Sequence, residues 1–195
     1  VDYRGYRIHK CDTWTQGAVL CQALRLLEGF DLPGMGAASA DEIHVAMEAM
    51  KLAFADRDTY YGDPLFVDVP LAQLFSDEYT RLRRELIDPN QAASQAMPGD
   101  PYNMRPLGPP ATPQPVVGGT TTCVSADRWG NLLAATPSAN VLKGAHEGGE
   151  AGVTFGNRLR SLNTTPGHPN CIAPGKRPRI TLTPTLVTRD GKGIM

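Results

Sequence analysis

A run of hydroxyl residues at positions 120–122 carries the residue types in this sequence that could act as a nucleophile. The run reads Thr-Thr-Thr and follows the pair Gly118-Gly119. A Thr whose α-amine is freed by cleavage of the chain supplies both an attacking hydroxyl and the base that activates it. The ordinary alternative is a Gly-rich turn that leads into a Thr-rich strand, and the motif by itself is typical of both.

The segments on either side of this run differ in composition. The tract Asp88–Val117 holds eight prolines in thirty residues. Because these prolines lack a backbone donor and few apolar side chains can offset the ordering entropy, the tract is predicted to be a mobile surface linker. Beyond it, Thr120–Ala126 and Asn131–Thr136 are predicted to form a hairpin around Asp127–Gly130. A hydroxyl residue therefore lies where a flexible segment meets an ordered strand, which a self-cleaving enzyme would need.

Helices are predicted ahead of the Pro-rich tract. The most secure one follows the capping box Ser39–Glu42, after which apolar residues recur at helical spacing and are predicted to pack into the core: Ile43, Met47, Met50 and Phe54. The remaining elements are a strand over residues 5–12, a helix over 16–28 with Gly29 at its C-terminus, a helix over 76–87 with Tyr79, Leu82 and Leu86 inward, and strands over 152–155 and 180–188.

The charge balance argues against polyanionic partners such as nucleic acid or an anionic membrane. The net charge is −1 and the pI about 6.5, so the chain lacks the basic surface that nucleic acid or an anionic membrane requires. The short basic runs Arg81–Arg84 and Lys176–Arg179 are interpreted as solvated faces. No apolar stretch approaches the ~20 residues that a membrane-spanning helix needs, so no membrane span is predicted in this segment.

The cysteine and histidine pattern gives no metal site. The four cysteines are widely spaced without a Cys-x-x-Cys pair, and they are predicted to be small buried hydrophobic residues. His168 and Cys171 lie close in sequence, but two ligand-type residues do not make a metal site. No metal and no other cofactor is expected.

Four ordered stretches are spread along the chain: residues 3–10 with 22–32, residues 44–57 with 62–70, residues 120–131, and residues 175–185. On the basis of these stretches the chain resembles the γ-glutamyltranspeptidase (glutathione hydrolase) family over nearly its whole length. The resemblance implies the αββα sandwich of the Ntn-hydrolase superfamily, whereas the pattern of elements alone predicts only an α+β fold.

The resemblance also implies a self-cleavage site. Thr120 falls on the family's nucleophile, which serves as its own base through the freed amine, and Gly119 then carries the peptide bond that is broken. Glycine suits that position, because its backbone freedom allows the strained geometry of an N-to-O acyl shift. Thr121 falls on the family's second Thr, and Thr122 stands where many members carry His. Both are also consistent with ordinary strand residues.

The substrate-binding positions are similar to the family's only in part. Ser138 and Asn140 fall where the family holds the nucleophile's amine and the substrate's α-amino group, although both are also consistent with turn residues after Pro137. The family's ammonium-binding carboxylate falls at Ser161, close to two arginines that are candidate carboxylate binders: Arg158 and Arg160.

The family's paired serines fall at Ile180 and Thr181, which leaves Thr181 as the remaining hydroxyl that could bind a substrate carboxylate. Isoleucine cannot donate a hydrogen bond, and such a loss costs ~1–3 kcal/mol at a buried site. The residues that perform acyl transfer are therefore predicted to be present, whereas the residues that bind the γ-glutamyl group are predicted to be altered.

The resemblance divides the chain into parts of two subunits that arise from one precursor. Residues 1–87 correspond to the helical end of the large subunit, 88–119 to the linker that ends at the cleavage point, and 120–195 to the β-rich start of the small subunit. The family's oxyanion-hole Gly-Gly segment would follow residue 195. The chain is thus expected to be the central fragment of a longer protein, inactive by itself.

Three functions are compatible with these residues. The first is a self-processing N-terminal-Thr amidase or acyltransferase that acts on γ-glutamyl groups of glutathione-like amides and peptides. The second keeps this chemistry but takes a glutaryl or another small dicarboxylic amide. The third is an unprocessed, non-catalytic module, and cleavage of the Gly119–Thr120 bond separates it from the other two.

Overall fold

A four-stranded antiparallel sheet joins the two ends of the chain. The structure, a computed structural model, describes residues 1–108, 121–138, 150 and 158–194. Four of its strands run in the order β1-β2-β7-β8 and span Asp2–Tyr3, Tyr6–Lys10, Thr185–Arg189 and Lys192–Gly193. The central pair, β2 and β7, is in register from Arg7 opposite Thr188 to Lys10 opposite Thr185. Residues ahead of the predicted cleavage point therefore share one sheet with residues behind it.

The helices lie between β2 and residue 84. They are α1 (Gly17–Leu27), α2 (Leu32–Met35), α3 (Ala40–Tyr60), α4 (Leu71–Leu74) and α5 (Asp77–Arg84). Helix α1 packs against α3 and α5. The core forms where these helices meet, with small side chains such as Ala23, Ala49 and Ala53 at the contact and larger ones such as Leu26 and Tyr61 around it. Three of the predicted elements are thus confirmed, the strand over 5–12 and the helices over 16–28 and 76–87, with slightly shorter bounds.

The face of α3 that enters the core differs from the predicted one. Ile43, Met47 and Met50 are 53%, 51% and 42% exposed, so the predicted inward stripe is wrong at these positions, and Phe54 is half-buried. The buried apolar residues of α3 are instead Val45, Ala49, Leu52, Ala53 and Ala55, and the small alanines among them suit the contact between α1 and α3. On α5, Tyr79 is buried as predicted and Leu82 packs at the core, but Leu86 is exposed.

The ends of the helices explain two sequence signals. The Ser39 hydroxyl accepts the Glu42 N–H at 3.1 Å, as the capping box predicts, while the Glu42 carboxylate accepts from Ala38 instead of Ser39. Gly29 does not adopt the left-handed cap conformation. Its missing Cβ instead leaves room for Arg84, because a Cβ there would lie 2.3 Å from the Arg84 Nε. That guanidinium donates to the terminal carbonyls of α1.

The first part of the Pro-rich tract packs against the helices. Strands β3 (Gly99–Asp100) and β4 (Arg105–Pro106) pair with each other, and both Pro98 and Pro101 are fully buried. The prediction of a surface linker is therefore wrong at residues 98–101, because the buried Asp56 carboxylate accepts the Gly99 N–H at 2.9 Å and draws this turn inward. Residues 109–117 lie outside the described residues, and the division into subunit regions stays a prediction.

Some of the strands predicted behind the Pro-rich tract are present in the described residues. Strands β5 (Cys123–Ala126) and β6 (Leu132–Ala135) form the predicted hairpin, and Gly130 has the positive φ of 89° that its turn requires. Strand β7 begins at Thr185, five residues later than predicted, and the predicted strand over 152–155 lies outside the described residues. Helices and small antiparallel sheets together confirm the α+β class.

The basic runs and the cysteines depart from their predictions. Arg83, Lys176 and Arg179 are buried, so the interpretation of the two runs as solvated faces is wrong at these three positions. Arg83 donates to a backbone carbonyl and Arg179 to a carboxylate, and the Lys176 ammonium lies 5.7 Å from the centroid of the Phe66 ring. Cys21 is buried as predicted and Cys171 is half-buried, whereas Cys11 and Cys123 are exposed.

Candidate functional site

The hairpin explains the local motif Asp127–Asn131. The Asp127 Oδ1 accepts the N–H groups of Trp129 and Asn131 at 2.9 Å each, and Oδ2 accepts from the Asn131 amide at 2.7 Å. These bonds lower the pKa of Asp127, with the Asn131 side chain as the largest cause. The aspartate therefore shapes the turn and fixes how β5 and β6 pair. Thr121 is exposed and lies two residues ahead of the first strand of this hairpin.

Ser138 and Arg158 are the two predicted site residues that the structure brings into contact. Arg158 begins the 3-10 helix Arg158–Ser161, and its guanidinium donates to both oxygens of Ser138. Nη2 bonds the hydroxyl, and Nε lies 3.4 Å from the carbonyl oxygen. Arg160 lies in the same short helix and is exposed. This end of the hairpin thus combines a hydroxyl with a guanidinium, a pair that can bind an anionic group.

Thr181 lies in an irregular segment that leads into β7. The half-buried Thr181 is bracketed by two backbone bonds to the turn ahead of α1: Ile180 N–H donates to Trp14 O at 2.7 Å, and Gln16 N–H donates to Leu182 O at 3.4 Å. Farther along, the Lys10 ammonium donates to Thr183 O at 2.7 Å. Burial lowers the pKa of Lys10. The candidate carboxylate-binding hydroxyl is therefore positioned by the N-terminal part of the chain.

An ion pair at Arg177, four residues ahead of Thr181 in the sequence, was not singled out by the sequence. Asp63 is fully buried and accepts three bonds from Arg177: from its N–H at 2.8 Å, from Nε at 3.1 Å and from Nη2 at 2.6 Å. These bonds lower the pKa of Asp63 to about 2. The guanidinium also lies 3.9 Å from the ring centroid of Trp14. The available signals were the Gly-Asp-Pro turn at residues 62–64 and the basic run that contains Arg177.

A second ionic group links the same segments. The Asp58 carboxylate accepts from the buried Arg179 at 2.9 Å and lies 3.4 Å from Arg57. Burial, with the nearby Arg179 charge, lowers the pKa of Arg57 to about 10. Because two arginines share one carboxylate, the group carries excess positive charge, which backbone carbonyls of Arg57 and Tyr61 partly offset by accepting from Arg179.

The sequence around His168 forms a turn. The His168 Nδ1 accepts the Asn170 N–H at 3.0 Å, and burial lowers the pKa of this histidine. Within the described ranges, no group of three or more His, Cys, Asp or Glu residues could hold a metal ion. Among the helices described, none is both long and apolar enough to cross a membrane.

Three predicted site residues lie outside the described residues. They are the nucleophile candidate Thr120, its cleavage partner Gly119, and Asn140. The structure therefore describes Thr121, Ser138, Arg158, Arg160 and Thr181, and the roles of all eight stay predictions.

Known proteins match this chain over its whole length. The family model described as Gamma-glutamyltranspeptidase matches residues 1–195. A glutathione hydrolase proenzyme of Bacillus subtilis (strain 168) is 34% identical over 203 residues, which cover 100% of this chain and 34% of the relative. An acylase ACY 1 proenzyme of Pseudomonas sp. (strain SE83) is 34% identical over 196 residues, which cover 97% and 32%. The chain thus spans about a third of the length of the curated relatives it matches.

Two solved structures of other proteins also match this chain over nearly all of its length. A cephalosporin acylase from Bacillus halodurans matches with a TM-score of 0.74 and 31% identity, over 100% of this chain and 32% of that one. The structure named LmbA2991HD matches with a TM-score of 0.82 and 39% identity, over 99% and 34%. The α+β elements are thus part of an Ntn-hydrolase fold, as the resemblance of the four sequence stretches implied. Since the family model covers every residue, this chain belongs to the gamma-glutamyltranspeptidase family.

Proposed function

We propose that the whole protein is a self-processing amidase and acyltransferase with an N-terminal Thr nucleophile, and that it acts on γ-glutamyl groups of glutathione-like amides. The observation that carries this proposal is the β5–β6 hairpin, whose first strand begins at Cys123, three residues after Thr120 in the sequence, and whose second strand ends at Ala135, three residues before Ser138. The Ser138 hydroxyl is the candidate partner for the amine that cleavage would free at Thr120.

The maturation step needs only groups of the chain and one water. The Thr120 hydroxyl oxygen attacks the Gly119 carbonyl carbon, the C–N bond breaks, and the acyl group moves to oxygen while the nitrogen takes the hydroxyl proton. Water then hydrolyses this ester. The products are a carboxylate on Gly119 and a Thr120 that carries a free amine and a free hydroxyl.

Turnover would reuse these two groups. The α-amine of Thr120 accepts the proton of the Thr120 hydroxyl while the hydroxyl oxygen forms an ester with the substrate's acyl carbon. The amine part of the substrate then leaves with that proton. Water completes hydrolysis, and a second amine in place of water completes transfer. The relatives named glutathione hydrolase proenzyme support both the cleavage and the γ-glutamyl substrate.

Intact mass and N-terminal sequencing of the full-length protein test the nucleophile. We expect a new N-terminus that reads Thr-Thr-Thr-Cys, with the present sequence divided into 119 residues ahead of the cut and 76 behind it. Thr120→Ala should leave the precursor whole and inactive. Thr122→Ala is the matched control and should mature at the same bond. Maturation of Thr120→Ala at this bond would overturn the proposal, and a wild-type protein that stays whole and inactive would support the non-catalytic alternative.

The contact between Arg158 and Ser138 favours a second candidate substrate. The guanidinium beside Ser138 attracts a carboxylate and repels an ammonium. This chemistry suits a glutaryl or another dicarboxylic acyl group, which has a terminal carboxylate but no α-amine. In this candidate Arg158 binds the carboxylate and the catalytic steps are unchanged.

A comparison of γ-glutamyl and glutaryl anilides on the processed enzyme separates the two substrates. The second candidate predicts a preference for the glutaryl anilide. Arg158→Gln should then lower kcat/KM for the glutaryl anilide by about ten- to a hundredfold. Arg128→Gln, at an exposed arginine of the hairpin turn, is the control and should change neither substrate's kcat/KM. A preference for the γ-glutamyl anilide with efficient transfer to an acceptor peptide would instead support the first.

A further inference from the structure

We propose that Arg177, held between Asp63 and Trp14, is a positioning residue that fixes Thr181 in the substrate site. The inference rests on the proposed function, because Thr181 is the hydroxyl expected to bind the substrate's carboxylate. It adds a residue that contacts no substrate and acts through the backbone of the segment 177–182.

The first observation is the way in which Asp63 holds both the main chain and the side chain of Arg177. The buried carboxylate accepts the Arg177 backbone N–H with Oδ2 and the guanidinium with Oδ1. Oδ1 also accepts the Leu65 N–H at 3.2 Å, so the carboxylate is itself held by its own loop. Bonds to both parts of one residue fix the direction in which the chain leaves Arg177.

The second observation is that Trp14 contacts both Arg177 and the residue before Thr181. The Trp14 ring stacks on the guanidinium, and its carbonyl accepts the Ile180 N–H at 2.7 Å. A second backbone bond lies two residues beyond Trp14 and two beyond Ile180, where Gln16 N–H donates to Leu182 O. Thr181 therefore sits between two backbone bonds, and the residue that makes the shorter one also packs against Arg177.

The segment has no other regular structure to define its path. Strand β7 begins at Thr185, so residues 177–184 lack the ladder of bonds that would fix a strand. Arginine suits this role better than lysine, because its planar guanidinium donates two bonds to the carboxylate and stacks on the ring together.

The test uses the processed full-length enzyme and the better of the two anilides. Arg177→Met should raise KM about tenfold with kcat changed less than about twofold, because a lost binding contact weakens substrate and transition state alike. Arg177→Lys should give an intermediate KM. Arg7→Met removes an exposed arginine that also pairs with an aspartate, Asp2, and is the matched control with unchanged KM.

Each outcome supports or overturns the role of Arg177. Mature Arg177→Met enzyme with a wild-type KM overturns it, as does a fall in kcat with unchanged KM. If Arg177→Met does not mature, Arg177→Lys and Trp14→Phe replace it, and a wild-type KM in both overturns the inference. Wild-type enzyme that cleaves neither anilide overturns the proposed function and this inference together, whereas active wild-type enzyme with unaffected variants overturns only the inference.

Discussion

At the scale of single residues, buried charges connect distant parts of the chain. Asp56, on α3, accepts from Gln22 of α1 at 2.5 Å, lies 3.2 Å from the Arg83 guanidinium of α5, and accepts the Gly99 N–H of β3. Asp56 and Arg83 are 0% and 1% exposed. Burial is the largest influence on Asp56 and raises its pKa, against the opposing pull of Arg83. One carboxylate therefore holds four elements at the centre of the molecule.

We expect Asp56→Asn to destabilise the fold strongly. The change leaves the Arg83 charge buried without its partner, which costs about 3–5 kcal/mol. Asp2→Asn removes an exposed partner of Arg7 and should change the stability far less than Asp56→Asn does. Urea unfolding of the full-length protein in the uncleaved Thr120→Ala background measures both. Equal stabilities of the two variants would contradict the central role of Asp56.

The pKa of Asp63 predicts a stability change in acid. Its pKa in the folded state is about 2, against an ordinary value of 3.8, so the folded state releases this proton more readily than the unfolded state. The contribution of Asp63 to stability is therefore complete above about pH 5 and is lost as the pH falls through about 4 towards 2. Asp63→Asn should be less stable than wild type by about 2 kcal/mol at pH 7.

Stability measured against pH for wild type and Asp63→Asn checks this expectation. The two curves should be separated at neutral pH and should converge as the pH falls from about 4 to 2. A gap that stays constant over this interval would show that the carboxylate charge does not contribute.

At the scale of elements, helices α3 and α5 each begin at a serine side-chain cap. Ser39 caps α3 and Ser76 caps α5, each hydroxyl accepting an N–H three residues later, at 3.1 and 3.2 Å. Ser39→Ala and Ser76→Ala should each lower the free energy of unfolding by about 1 kcal/mol. Ser94→Ala, at an exposed position outside the helices, is the control and should change it by less than about 0.5 kcal/mol. Denaturant midpoints in the Thr120→Ala background provide the comparison.

At the scale of the whole molecule, contacts across the proposed cleavage point join the two parts of the chain. Strands β2 and β7 pair over four residues each, and two ion pairs, Asp63–Arg177 and Asp58–Arg179, link the helical part to residues 158–194. Backbone pairs and buried side chains are not screened by salt. At 1 M salt the Debye length is about 3 Å, so exposed ion pairs are largely screened. After cleavage we therefore expect both fragments to stay together in 1 M salt and to separate only in denaturant.

Size-exclusion chromatography of the matured protein checks this association. Both fragments should elute in one peak at low and at high salt, with the uncleaved Thr120→Ala precursor as the size reference. Separation of the fragments by salt alone would show that exposed ion pairs, rather than strand pairing and burial, hold the two parts together.

The local elements and the family follow from the sequence by itself. The cap at Ser39 and the hairpin turn at Asp127–Asn131 are encoded within a few residues, because each depends on a side chain that bonds its own neighbouring backbone. The four ordered stretches indicated the family from the sequence, and the family model matches residues 1–195. The residues named for catalysis follow from that resemblance alone.

The choice of buried face and the partners of the charges are decided only by the tertiary structure. Periodicity assigns Met47 to the core, whereas the close approach of α1 and α3 selects the smaller Ala49. Arg177 belongs to a basic run that composition assigns to solvent, yet Asp63, 114 residues earlier, holds it in place. Both facts depend on contacts between residues far apart in the chain, which local pattern cannot specify because many pairings satisfy the same pattern.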